Sequence, residues 1–123
     1  MAATVTFSIK NNVWFLNAFR FGVVGDTSWS FTNKDFLCDL KSDPSQTNPD
    51  LSLSSTGPSP ATILVLDPIA RVLQFNVEDL VLRNKLSVGP YQYDLIMVDD
   101  TTGERDMLMS GVITVMQGVT LED

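Results

Sequence analysis

Apolar and polar residues alternate with period two along most of the chain, the pattern of half-buried strands. In TVTFSIK, Val5, Phe7 and Ile9 share one side, and Thr4, Thr6, Ser8 and Lys10 the other. In AFRFGVV, Phe19, Phe21 and Val23 share a side; a Gly-Asp turn signal follows. TSWSFT then sets Trp29 and Phe31 against Ser28, Ser30 and Thr32, the cleanest alternation in the chain. A further strand is predicted over Phe36–Lys41, with Phe36, Cys38 and Leu40 on one parity.

The texture changes at SDPSQTNPDLSLSSTGPSP, where four of the six prolines fall. This predicts a long polar loop at about 42–60, with LSLS as a short edge strand through Leu51 and Leu53. Its composition has little to bury alone, so it is expected to order in an assembly. ATILVL, a continuous apolar run, predicts a strand covered on both faces. ARVLQFNV alternates again, with Leu73, Phe75 and Val77 inside. EDLVLRNKLSVG is the one helix candidate. Its acids Glu78 and Asp79 come first and its bases Arg83 and Lys85 last, as the helix dipole favours. Leu80, Leu82 and Leu86 make too narrow a stripe for more than one or two turns.

The chain closes on two long strands. Tyr91, Tyr93, Leu95 and Met97 share one parity, and Gln92, Asp94, Ile96 and Val98 the other. The segment DDTTG supplies the turn, with Gly103 suited to positive φ. The return strand is predicted from about Arg105 to Met116. Strict alternation puts Met107, Met109, Ile113 and Val115 on one face and Leu108, Val112 and Met116 on the other. Both faces are thus apolar, so a second sheet or another chain is expected over the far side. Eight to ten short strands and little helix predict one all-β sandwich domain over residues 1–123.

Composition narrows the function. The chain has 123 residues, 44% of them apolar, enough for a self-sufficient core. The net charge is −7, from fifteen carboxylates against eight scattered bases. Without a basic stripe, nucleic acid and anionic membrane surfaces are excluded as expected partners. No apolar run reaches membrane-spanning length, and MAATVTFSIK lacks a secretory leader, so synthesis in the cytoplasm is expected. Cys38 is the single cysteine and histidine is absent, which removes disulfides and a Cys–His nucleophile.

The remaining chemistry is thin. Asp99, Asp100, Glu104 and Asp106 cluster at the hairpin tip, where turn chemistry accounts for them. Their spacing fails the calcium-loop pattern, and an exposed turn does not set two carboxylates across a sugar. The spacing in GVVGDTSW excludes a phosphate-binding loop. No cofactor, metal or catalytic residue is therefore expected. Most aromatic residues alternate as core. In NNVWFLN, Trp14 and Phe15 are adjacent, so a strand puts them on opposite faces and one projects as an interface anchor.

The order Gly89, Tyr91, Tyr93, Asp94, Leu95, Asp99, Leu108, Ser110, Gly111, Ile113, Thr114, Val115, Gly118, Val119 and Thr120 resembles a small domain of tailed bacteriophages. GDTSWSF, FLCDLKSDP and RVLQFNV extend the likeness over about Phe7 to Thr120. It is similar to the immunoglobulin-like domain that begins baseplate upper proteins and attaches fibre or receptor-binding components. Those proteins continue into a helix and a C-terminal region, and the present sequence is expected to represent the attachment domain alone. The resemblance implies an immunoglobulin-like antiparallel β-sandwich and a non-enzymatic virion protein of the tail or baseplate. Its expected partners are other virion proteins, as a homo-oligomer or repeated array. Trp14, Tyr91, Tyr93, Met107 and Met109 are the expected contact residues. A capsid cement protein is the alternative. A carbohydrate-binding module and a small hydrolase using Asp99 and Glu104 stand further off.

Overall fold

The computed structural model describes residues 3–22, 29–56 and 62–120. Two sheets face each other. The larger is built on the terminal hairpin of β8 (Gly89–Asp99) and β9 (Arg105–Met116). Next to β8 lies β4 (Lys34–Lys41), and next to that β5 (Leu51–Ser54), all antiparallel. Along the other side of β9 run β1 (Ala3–Thr4) and β2 (Phe7–Lys10), one after the other. These two are parallel to β9, so the sandwich is antiparallel everywhere except at this edge. The smaller sheet has the order β3 (Ala18–Arg20), β7 (Val72–Phe75), β6 (Ile63–Asp67). One short helix, α1 (Asp79–Lys85), links β7 to β8.

The alternation decides which side chains meet. Phe36, Cys38 and Leu40 of β4 and Tyr91, Tyr93 and Leu95 of β8 are buried, as are Ile113 and Val115 of β9. They face Ile63, Leu73 and Phe75 from the smaller sheet across one core. Phe15 stacks on Phe75 at 5.1 Å, and Phe31 meets Phe36 edge-on at 4.7 Å, both favoured ring geometries. In α1, Leu82 is fully buried and Asp79 pairs with Arg83 at 2.8 Å.

Tyr91 makes a tyrosine corner: its hydroxyl accepts the Ser87 N–H at 2.7 Å, tying the start of β8 back to its incoming chain. In antibody domains a disulfide cysteine stands two residues later. Here that position is Tyr93, whose buried hydroxyl donates to the Val5 carbonyl at 2.6 Å and so holds the β1–β2 edge. Burial, with Cys38 adding, pushes the Tyr93 phenol up to about 12. Burial also pushes the Cys38 thiol well above its usual range, with Asp94 and Asp39 adding to it.

Three expectations need correction. Trp29–Phe31 is not a strand: residues 31–33 form a turn with Asn33 at φ 58°. The Phe31 N–H reaches the Pro68 carbonyl. The buried Arg71 side chain donates to the Phe21 and Trp29 carbonyls at 2.8 and 3.0 Å and lies 5.0 Å over the Trp29 ring. A side chain thus supplies bonds that a neighbouring strand would have made. Val23, Thr27 and Ser28 lie outside the described residues. Secondly, the apolar run is not covered on both faces over Ile63–Leu66. As β6 it edges the smaller sheet, with Leu64 and Val65 half-buried and Leu66 exposed.

Thirdly, Met107 and Met109 do not share a face. Leu95 pairs with Met109 and Ile96 with Met107, which leaves Leu108 as the extra residue of a β-bulge. The bulge resets the parity, so Leu108 and Met109 both turn inward and Met107 outward. The far face of the hairpin keeps its apolar residues, with Met107 there in place of Leu108. Gln92 and Asp94 are exposed there, and Ile96, Val98 and Val112 half-buried. The polar loop is organised over 42–50 by its own side chains. The Asp50 carboxylate accepts the Ser42 N–H at 2.8 Å, and Gln46 bridges Asp43 and Asn48.

Candidate functional site

Of the predicted contact residues, the structure leaves Trp14 and Met107 exposed and buries Tyr91, Tyr93 and Met109. The two tyrosines are core residues whose hydroxyls serve backbone groups. Contact through these three is corrected to support of the surface above them.

Trp14 sits on the crossover from β2 in the larger sheet to β3 in the smaller. Both ends of that crossover are pinned. Asn11 accepts the Gly118 N–H at 3.0 Å, and Asn12 donates to the Thr120 carbonyl at 2.7 Å. Phe15 exchanges two backbone bonds with Val77, at 2.8 and 3.1 Å, and its ring is buried. With Phe15 fixed inward, its neighbours Trp14 and Leu16 turn outward, 48% and 47% exposed, and Val13 in the preceding bend is 55% exposed. A groove of about 200 Å³ lies at the foot of this ridge, lined by Ser8, Ile9, Lys10, Val13, Trp14, Phe15 and Asn17.

A second depression, of about 240 Å³, opens on the solvent face of the larger sheet between Asp39, Lys41, Pro44, Gln92, Tyr93 and Asp94. Asp39 and Asp94 are cross-strand partners, and Asp39 accepts the Ser52 hydroxyl at 2.6 Å. The two carboxylates stand side by side on one face, whereas sugar cleavage needs them flanking the bond. At the hairpin tip Asp99 is committed locally. It accepts the Thr101 and Thr102 N–H groups and pairs with Lys34. The Lys34 hydrogen bond first, then those N–H groups, lower its pKa to about 2. Gly103 takes φ 77° as its turn demands. Among the described residues no group of three or more His, Cys, Asp or Glu is placed to hold a metal ion. Also among them, no helix is long and apolar enough to cross a membrane.

The ridge was legible from the adjacent Trp14 and Phe15. Its groove was not, because Ser8 and Lys10 join it only once β2 lies beside the crossover.

No family model matches the sequence, and no curated protein does. Among solved structures, the chain is similar to the NK cell receptor Nkp44, described as a triggering partner in natural cytotoxicity. The identity is 14%, over 94% of this chain and 99% of that one, with a TM-score of 0.49.

Proposed function

We propose that this chain is a non-enzymatic structural protein of a tailed-bacteriophage virion, an attachment or adaptor domain at the tail or baseplate. One observation carries the binding role: a rigidly held apolar ridge, Val13, Trp14 and Leu16, stands in solvent beside a groove. Exposed tryptophan on a fixed backbone is the kind of group that anchors protein contacts, since its large area becomes buried at little entropic cost. The phage assignment draws its support from the sequence pattern between Gly89 and Thr120. The repeated neighbours of a virion would turn modest single contacts into durable attachment.

The test is the mass of the purified protein by light scattering, followed by sedimentation with isolated phage tails and heads. The expected result is co-sedimentation with tails, lost in Trp14→Ser. Co-sedimentation with heads alone would replace the tail assignment by a capsid cement protein. A folded protein that ignores both particles would overturn the virion reading.

A further inference from the structure

We infer that the outer edge of β1–β2 is a strand-addition site for an extended, acidic segment of a partner protein. This rests on the chain being a binding module and not on its place in a virion.

A sheet edge carries unpaired N–H and C=O groups, and proteins ordinarily blunt such edges. Among the described residues, three of the four sheet edges are blunted. On β5, which has four residues, both outward groups of Ser54 are taken by Thr62. On β6 a register irregularity between Val65 and Asp67 interrupts the edge just before Pro68. β3 has only three residues.

The fourth edge is different. Ala3 pairs with Met109 and Phe7 with Ile113, so β1 and β2 keep one register along eight residues. The inward bonds fall on odd positions, where the Val5 and Asn11 N–H groups go to Ser110 and Met116. By strand alternation the backbone groups of Thr4, Thr6, Ser8 and Lys10 face outward, and all four residues are exposed. The Trp14 groove opens beside Ser8 and Lys10. An added strand would therefore gain main-chain bonds from the edge and an apolar seat for a side chain from the groove, the two components of β-augmentation.

Charge selects the occupant. Residues 1–25 contain Lys10 and Arg20 and no carboxylate, whereas all fifteen carboxylates lie further along the chain. Along the edge itself, residues 3–10, the one charge is Lys10 and no carboxylate is present, so on an acidic protein it fits a segment alternating carboxylates with apolar residues.

The probe is a capped decapeptide of alternating Glu and Val, with its Lys–Val counterpart as control. Binding is followed through amide chemical shifts of the full chain. The expected result is shifts confined to residues 3–17, at least about tenfold preference for the acidic peptide, and weakening with salt. Ser8→Pro removes an outward N–H while sparing the bonds to β9, and Pro is tolerated at such a position. It should abolish binding in a folded protein. Lys10→Glu is the second variant and should erase the preference for the acidic peptide. Equal affinity for both peptides, no shifts at millimolar peptide, or full binding by folded Ser8→Pro would each overturn the site. A mass that rises with protein concentration and is restored to monomer by Ser8→Pro would assign the edge to a second copy instead. Loss of peptide binding with tail co-sedimentation intact would remove this site and leave the proposed function standing.

Discussion

Replacing Gly111 by alanine tests how the β1–β2 edge is held. Gly111 lies in β9 at φ 153°, where the edge strand passes closest. A Cβ there would fall 2.2 Å from the Val5 carbonyl oxygen and 2.8 Å from its carbon. Those atoms are backbone, and Val5 is tied on both sides. Its N–H donates to the Ser110 carbonyl at 2.8 Å and its carbonyl accepts the Tyr93 hydroxyl at 2.6 Å. Relief of the clash requires Val5 to withdraw, losing two hydrogen bonds of about 1 kcal/mol each. The non-glycine backbone conformation adds about 1–3 kcal/mol. The sum is roughly 3–5 kcal/mol, or a fall in Tm of about 10–20 °C for a domain of this size. Urea unfolding followed by circular dichroism measures the loss, and amide exchange at Val5 locates it. Tyr93→Phe should isolate the hydroxyl term at about 1 kcal/mol. Gly103→Ala, where no atom lies within 4 Å of a new Cβ, should cost only the backbone strain. Gly111→Ala within about 1 kcal/mol of the parent, with Val5 still protected, would refute the claim that close approach requires glycine there.

Tyr91→Phe deletes the corner bond to Ser87 and should cost about 1–1.5 kcal/mol in thermal unfolding without changing the fold; no loss would mean the bond adds nothing. Cys38 should resist thiol reagents at neutral pH in the native protein and react on adding denaturant, because burial disfavours its thiolate; fast native labelling would contradict its place in the core. Asp99 has a folded pKa lowered from 3.8 to about 2. Its contribution is therefore present above about pH 4 and is lost as pH falls toward about 2. Asp99→Asn should flatten that acid limb of the stability curve, most clearly at low salt; an unchanged limb would assign acid sensitivity to other carboxylates.

Where local pattern and tertiary demand coincide, the elements could be read directly. β4, β7 and β8 follow the alternation because each sets one row of side chains into a shared core, and period two allows no other register. The helix was bounded by its charges and by the burial of Leu82 and Leu86. Trp29 and Phe31 alternate just as well yet form no strand, since alternation shows which side chains are buried and not what bonds the backbone. There Arg71, distant in sequence, supplies bonds to the Phe21 and Trp29 carbonyls. Met107 and Met109 were placed on one face because a bulge has no periodic signal. It appears only when β9 is laid against β8 and Leu108 is left over.

The sequence by itself determined a small acidic β-sandwich, the rows that fill its core and the outward turn of a residue beside Phe15. Those follow from hydrophobic burial and strand geometry, which act locally. The partners of the two tyrosine hydroxyls were beyond its reach. Tyr93 binds a carbonyl 88 residues away, so its role depends on parallel pairing of the first strand with the last. The same pairing leaves one sheet edge open, brings Ser8 and Lys10 beside Trp14, and turns scattered residues into a surface that another chain can join.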